Sequence, residues 1–195
     1  MNNQARLIGF IASAFTFSHT MYGENFYNVT LCVQRDSGNS DAIPLIISDR
    51  ILDVTNDYVN KCVYVTGEFR SYNQHDQDKT RVKLYVFINS IEFIEETKSI
   101  NDVFLEGVIC KEPIYRRTPL GREIADVFLA INRAYGKCDY IPCILWGRNA
   151  YYAQNLSVGN YIRVAGRIQS RNYSKDGDIK TAYELSVNLM EVIDR

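Results

Sequence analysis

The feature that most constrains this chain is an internal repeat that covers most of its length. The segment Tyr22–Arg35, YGENFYNVTLCVQR, aligns with Leu120–Arg133, LGREIADVFLAINR, at an offset of 98 residues. Several such matches in the same order predict two consecutive copies of one fold. Further matches at this offset, or at 99 after one inserted residue, are Gly9 with Gly107, Asp41–Pro44 with Asp139–Pro142, and Val65–Gly67 with Val164–Gly166.

Each copy has the composition of a small β-domain, with short apolar runs separated by turn residues. In the second copy, Asn149–Val158 has no β-branched residue before Val158 and is followed by Gly159, which favours a short helix. Five strands with a helix between the third and fourth are the order of an OB-fold. The candidate strands are Val103–Cys110, Ile124–Arg133, Tyr140–Trp146, Tyr161–Ser170 and Thr181–Ile193.

The predicted fold class is therefore all-β, with two tandem OB-fold five-stranded Greek-key barrels, each with a short helix between strands 3 and 4. The polar stretch Glu95–Asp102 marks the join, so we expect an N-terminal domain over residues 1–96 and a C-terminal domain over residues 97–195. Glycines at matching places in the two copies predict the sharp strand bends that a small barrel requires: Gly9 and Gly107, Gly67 and Gly166.

Strand alternation predicts which side chains of the second copy point outward. If Ile141, Cys143 and Leu145 face the core, the residues between them, from Tyr140 to Trp146, face solvent. The fourth strand presents cations on the equivalent side, and the hairpin after it adds two lysines. The outward set comprises Tyr140, Pro142, Ile144, Trp146, Arg163, Arg167, Gln169, Arg171 and Tyr173, followed by Lys175 and Lys180.

Aromatic rings beside cations suit unpaired nucleic-acid strands, because bases stack on rings and cations neutralise phosphates. The first copy has Ala42 in place of Tyr140 and Ser48 in place of Trp146. Residues 1–98 contain 9 Lys and Arg against 12 Asp and Glu, whereas residues 99–195 contain 13 against 11. We therefore expect the first copy to be mainly structural, or to bind weakly, and the second to bind unpaired nucleic-acid strands.

The second copy resembles the bacterial single-stranded DNA-binding proteins, including a clostridial branch with two copies per chain. The similarity lies in Tyr140–Arg148, YIPCILWGR, and in Val164–Tyr173, VAGRIQSRNY, with a weaker match at Cys110–Arg116. It covers about residues 102–193. The resemblance implies sequence-independent binding and protection of single-stranded DNA in replication, recombination or repair.

The resemblance also implies roles for individual residues. Base stacking is expected at Tyr135, Tyr140, Trp146 and Tyr173, and phosphate contacts at Arg116, Arg122, Arg148, Arg167, Arg171 and Lys175. The strand pattern adds Arg163 and Lys180 as expected phosphate contacts. It further implies a homodimer with four barrels and a cytoplasmic, nucleoid-associated location. Members of the family end in an acidic tail that recruits partners, and the sequence Met190–Arg195 does not resemble that tail.

Other functions remain open at this point. The rings could bind RNA in a primosome-like or other OB module, or they could be buried against a protein partner. No enzyme, cofactor or metal is expected, because the two histidines, His19 and His75, have no Cys or His at ligand spacing and no catalytic motif is recognised. Five cysteines without a CxxC motif indicate a reduced compartment, and no apolar run is long enough to cross a membrane.

Overall fold

The structure is a computed structural model that describes residues 2–76, 79–95, 98–175 and 177–194, with the side chains of 73–81 and 175 left undescribed. Most of these residues lie in strands, which confirms the all-β class. The strands are β1 (Asn3–Ile11), β2 (Thr16–Met21), β3 (Glu24–Gln34), β4 (Ser40–Ser48), β5 (Cys62–Asp76), β6 (Lys79–Phe93), β7 (Ile100–Ile109), β8 (Ile114–Arg117), β9 (Glu123–Asn132), β10 (Cys138–Trp146), β11 (Tyr161–Lys175) and β12 (Asp178–Val192). A 3-10 turn lies at Ala134–Gly136 and one helix, α1, at Arg148–Ala153.

The chain separates into two compact units. The N-terminal unit comprises Gln4–Arg70 and Lys83–Asp102, and the C-terminal unit comprises Met1–Asn3, Ser71–Val82 and Val103–Arg195. The division expected from the sequence, between residues 96 and 97, lies outside the described residues, and the change of unit lies after Asp102. The segment Ser71–Val82 is counted with the C-terminal unit although it belongs to the first copy of the repeat.

The strands of the first copy pair in the order β2-β3-β4-β6-β5-β1, and an additional pairing of β3 with β1 closes the circuit. The β4–β6 pair is parallel, with Leu45 opposite Val86 and Ile46 opposite Phe87. The β3–β4 and β1–β5 pairs are antiparallel.

The second copy repeats this arrangement. Its strands pair in the order β7-β11-β12-β10-β9-β8, with an additional β7–β9 pairing. The parallel pair is β10–β12, with Cys143 opposite Leu185 and Ile144 opposite Ser186. The two copies therefore have the same strand connectivity, as the 98-residue offset predicts.

The core of the C-terminal unit follows the predicted alternation. Val127, Leu129 and Ile131 of β9 are buried, and they alternate with Phe128, Ala130 and Asn132, which are more exposed. Burial of such aliphatic side chains stabilises a domain by about 1.5–3 kcal/mol each. On β10, Ile141, Cys143 and Leu145 are buried, as predicted.

The repeated glycines lie where two strand backbones come very close. A Cβ atom on Gly107 would lie 2.6 Å from the carbonyl oxygen of Ala130, and one on Gly9 would lie 2.4 Å from that of Cys32. Gly67 and Gly166 would place a Cβ even closer to a facing carbonyl oxygen. At these four positions only glycine fits without displacing a neighbouring strand, which supports the predicted strand bends.

The expected helix between the third and fourth strands of each copy is wrong for the first copy. In the second copy, α1 has six residues and lies between β10 and β11. The corresponding segment of the first copy, residues 49–61, contains only turns, bends and irregular backbone. Asp53 accepts hydrogen bonds from the backbone nitrogen of Thr55 at 3.1 Å and from its hydroxyl at 2.6 Å, a local pattern that competes with a helix.

Candidate nucleic-acid interface

One outer face of the C-terminal unit collects half of the predicted site residues, and it is called the ring face below. It is built from alternate residues of β9, β10, β11 and β12 that lie opposite one another in the strand registers. The ring face comprises Phe128, Tyr140, Pro142, Ile144, Trp146, Arg167, Gln169, Arg171, Tyr173, Lys180, Glu184 and Ser186.

The four predicted stacking residues are all at least partly accessible. Tyr140 is 45% exposed and Tyr173 is 39% exposed, while Trp146 is half-buried. The Nε1 of Trp146 donates a hydrogen bond to the Oγ of Ser186 at 3.0 Å, which holds the indole against the neighbouring strand β12. An indole fixed in this way presents a ring without the entropic cost of ordering it on binding.

Tyr135 lies beside this face in the loop between β9 and β10. Its side chain is 99% exposed, and its backbone is in the left-handed region with a φ of 60°. A bulky residue in this conformation costs roughly 1–2 kcal/mol relative to the ordinary regions. A strained and fully exposed aromatic residue contributes nothing to the core, so it is a good candidate for ligand contact.

The expectation that Ile144 is exposed with its neighbours was wrong. Ile144 has the outward parity of Tyr140 and Trp146, but it is only 6% exposed. It lies between β9 and β12, opposite Asp126 and Ser186. A residue flanked by strands on both sides is covered by the longer side chains around it, so outward parity alone did not make it accessible.

The predicted phosphate contacts fall into two groups. Arg171 is well exposed and lies 3.5 Å from Glu184 through its Nε, while Arg167 donates to the Oε1 of Gln169 at 3.3 Å. These side chains and Lys180 lie on the ring face, and Lys180 is opposite Tyr173. Arg122 and Arg148 are exposed at the ends of β9 and β10, and the side chain of Lys175 lies outside the described residues.

Two further predicted cations, Arg116 and Arg163, form short hydrogen bonds with carboxylates. Arg116 makes two hydrogen bonds to Asp126, at 2.7 and 3.1 Å, and this contact raises the pKa of its guanidinium. Arg163 binds Glu106 at 2.6 Å and Glu191 at 3.0 Å. Arg163 has the same parity on β11 as Arg167, but it lies opposite Glu106 and Glu191 rather than beside the aromatic residues of β10.

Three residues of this region were not identified as candidates from the sequence. The ammonium of Lys111 lies 4.5 Å from the ring centre of Phe128, which is opposite Pro142 on the ring face. Glu184 is buried on the same face and accepts a hydrogen bond from Gln169 at 2.7 Å. The parity of Phe128 was visible in the sequence, but the contact with Lys111 depends on a loop after β7.

The buried carboxylate Asp139 anchors one edge of the ring face. Its Oδ2 lies 3.3 Å from the Nε of Arg133, and its Oδ1 accepts a hydrogen bond from the backbone nitrogen of Ser71 at 2.8 Å. The backbone nitrogen of Tyr140 donates in turn to the Oγ of Ser71 at 2.8 Å. Ser71 is thereby held beside Tyr140, and the exposed Tyr72 that follows it adds a further aromatic residue to this unit.

The cysteines of the C-terminal unit fit a structural role. Cys143 is buried in the core, and this burial raises the pKa of its thiol well above the usual range. Burial also raises the pKa of Cys110 and of Cys138. Since the thiolate is the form that binds metals and attacks electrophiles, burial disfavours both roles here.

Within the part of the chain that the structure describes, no three His, Cys, Asp or Glu side chains come together as a metal site. Within the same ranges, none of the helices has the length and hydropathy that a membrane crossing requires.

Residues 100–193 match the model of the single-strand binding protein family. Single-stranded DNA-binding protein 3 of Clostridium acetobutylicum is 33% identical over 103 residues, which cover 49% of this chain and 72% of that protein. The chain belongs to the single-strand binding protein family. Single-stranded DNA-binding protein 2 of Listeria innocua is 38% identical over 95 residues, covering 45% of this chain and 59% of the relative. The chain thus spans about half to three fifths of the first curated relatives it matches.

Solved structures show a similar fold over the whole chain. The wild-type single-stranded DNA binding protein from Thermus aquaticus superposes with a TM-score of 0.81 at 19% identity, covering 99% of this chain and 93% of that one. At this identity the likeness concerns the fold, which is the OB-fold. Family membership also confirms the expectation that the chain is not an enzyme, because single-strand binding proteins are non-enzymatic.

Proposed function

We propose that this chain binds single-stranded DNA without sequence preference on the ring face of its C-terminal unit. The observation that carries this proposal is the placement of Tyr140, Trp146 and Tyr173 on one outer face, together with Arg167, Arg171 and Lys180. Bases of any identity stack on such rings, with about 1–3 kcal/mol per base, so no particular sequence is favoured.

The charge on this face supports the same ligand. Three carboxylates of the face and its edge each contact an arginine: Glu184 with Arg171, Asp126 with Arg116 and Asp139 with Arg133. The cations of the face and its border outnumber these three acids: Lys111, Arg116, Arg167, Arg171 and Lys180, with Arg122 and Arg148 at the strand ends. The field near the rings is therefore positive although the whole chain has a net charge of −1.

The assembly forms part of the proposal. Each closed strand circuit corresponds to one OB barrel, so the chain carries two barrels in tandem, the domains being residues 1–96 and 97–195. A homodimer of such chains carries four barrels. The biological setting that follows is the binding and protection of single-stranded DNA during replication, recombination or repair, in the cytoplasm at the nucleoid.

The salt dependence of binding tests the phosphate contacts. In titrations of a fluorescently labelled oligo-dT at several NaCl concentrations, we expect the logarithm of the binding constant to fall linearly with the logarithm of salt, with a slope near −0.7 per phosphate contact. Arg171→Ala should make this slope shallower by about 0.7 and weaken binding about fivefold at low salt.

The matched control is Arg6→Ala. Arg6 is an exposed arginine of the N-terminal unit that contacts Asp102 at 3.5 Å, so its loss changes the net charge equally without changing the ring face. We expect its slope to equal that of the unmodified chain. Equal slopes for both variants, or tighter binding of an RNA oligomer than of oligo-dT under the same conditions, would contradict the proposed site or its ligand.

A further inference from the structure

In each copy of the fold, an aromatic residue and a serine lie on the two strands of the parallel pair, but the strand that carries the aromatic residue differs between the copies. In the C-terminal unit, Trp146 of β10 donates to Ser186 of β12. The parallel registers pair Ile144 with Ser186 in that unit and Ile46 with Phe87 in the N-terminal unit. Phe87 therefore occupies the position of Ser186, while Ser48 occupies that of Trp146 at the 98-residue offset.

This exchange changes the interpretation of the first copy. A comparison of Ser48 with Trp146 alone indicates that the N-terminal unit has lost its aromatic residue. The structure shows instead that a ring of comparable kind comes from the adjacent strand β6, through Phe87. The corresponding outer face of the N-terminal unit therefore retains an aromatic centre.

Phe87 belongs to a row of four flat side chains, which we name the His19 stack: His19, Phe26, Phe87 and Arg70. The rings of His19 and Phe26 are stacked, with centroids 4.9 Å apart and an interplanar angle of 16°. Phe26 and Phe87 are 5.4 Å apart, and the guanidinium of Arg70 lies 4.4 Å from the Phe87 centroid.

The outer end of this stack is open to a further flat group. Phe26 is buried, whereas His19 is exposed on β2, so one side of the imidazole is covered by Phe26. A hydrogen bond of 3.0 Å joins the Oγ of Ser18 to the Nδ1 of His19 and limits rotation of the ring. A stack that served only to fill the core would end on a covered ring.

The electrostatics distinguish this stack from the ring face. Arg70 makes a hydrogen bond of 2.8 Å to Glu68, which compensates its charge. A nucleic-acid ligand at this stack would therefore gain more from base stacking than from phosphate neutralisation, and its binding would depend less on salt than binding at the ring face.

We propose that the N-terminal unit has a second site for single-stranded DNA, in which an unpaired base stacks on His19 at the open end of the His19 stack. Imidazole and guanidinium planes are established platforms for splayed bases. This site lies in the unit expected from the sequence to be mainly structural, and it goes beyond the proposed function, which concerns the ring face.

A tryptophan placed in the stack tests this site directly. In the variant Trp146→Phe/His19→Trp of the full chain, the one tryptophan reports only on the N-terminal unit. We expect saturable quenching of its emission by oligo-dT of about 8 nucleotides, a length within the range bound by one OB-fold. The control is Trp146→Phe/Val59→Trp, which places the reporter in the loop between β4 and β5, and its emission should not change.

A second measurement covers the case in which the His19→Trp variant does not fold. Native mass spectrometry of the unmodified chain with the same oligo-dT should show two oligonucleotides per chain, and His19→Ala should show one, with about tenfold weaker binding at the lost site. Unchanged emission of the His19→Trp variant at saturating oligo-dT, equal quenching in the Val59→Trp control, or unchanged stoichiometry in His19→Ala would each overturn the second site. Failure of the proposed function would appear separately, as unresponsive Trp146 emission in the unmodified chain.

Discussion

Gly166→Ala is expected to lower the free energy of unfolding by about 3 kcal/mol, the upper range for overpacking in a close-packed interior. A Cβ atom at this position would lie 2.1 Å from the carbonyl oxygen of Ser186 and 2.9 Å from the Cα of Val187. Both are backbone atoms of β12, so the strand itself would have to move. Ser186 also holds Trp146, and the displacement would therefore disturb the ring face as well.

Denaturant unfolding followed by circular dichroism measures this effect. The control is Gly38→Ala, in a turn with a φ of +83° and no atom within 4 Å of the added carbon. Only the backbone conformation is unfavourable there, so a loss of about 1 kcal/mol is expected. If Gly166→Ala were as stable as the unmodified chain, the close approach of β11 and β12 would be disproved.

Removal of two rings from the ring face is expected to weaken binding of oligo-dT about 100-fold. In Tyr140→Ala/Trp146→Ala, two stacking surfaces are lost, and each contributes about 1–3 kcal/mol per base. The two residues lie on the same side of β10 and pair with Ala130 and Ile124 of β9. Fluorescence anisotropy of a labelled oligo-dT, at fixed salt, gives the affinity of each variant.

The control for this experiment removes two exposed rings from another part of the same unit. Tyr151 and Tyr152 lie on α1 and are both at least half exposed. Tyr151→Ala/Tyr152→Ala should bind oligo-dT within about twofold of the unmodified chain. An equal loss of affinity in both double variants, with both folded by circular dichroism, would show that the rings of β10 have no special role.

Much of the fold was predictable because the repeat and the strand alternation can be recognised directly in the sequence. The inward parity of Ile141, Cys143 and Leu145 was correct, since a strand between two others must alternate core and surface side chains. The matched glycines were also recognisable, because no other residue tolerates the approach of a facing carbonyl group. The lack of a helix in residues 49–61 could not be predicted by analogy with the second copy, because the first copy has turns at the corresponding place.

The remaining features depend on contacts between strands that are distant in the sequence. Ser48 corresponds to Trp146, and Phe87 corresponds to Ser186. The second correspondence can be recognised only when the registers of the parallel strand pairs are known. The sequence likewise could not show that Arg163 contacts Glu106 and Glu191, which are 57 and 28 residues away. Charge type alone therefore could not distinguish arginines paired with carboxylates from arginines that are not.

Binding of single-stranded DNA at the ring face is tested most directly by the fluorescence emission of Trp146, the single tryptophan of the chain, during addition of oligo-dT. We expect saturable quenching whose midpoint shifts to higher oligo-dT concentration as salt rises, because bases stack on the indole while phosphates bind the neighbouring cations. Unchanged Trp146 emission under conditions in which a labelled oligo-dT is bound would contradict the ring face as the DNA site.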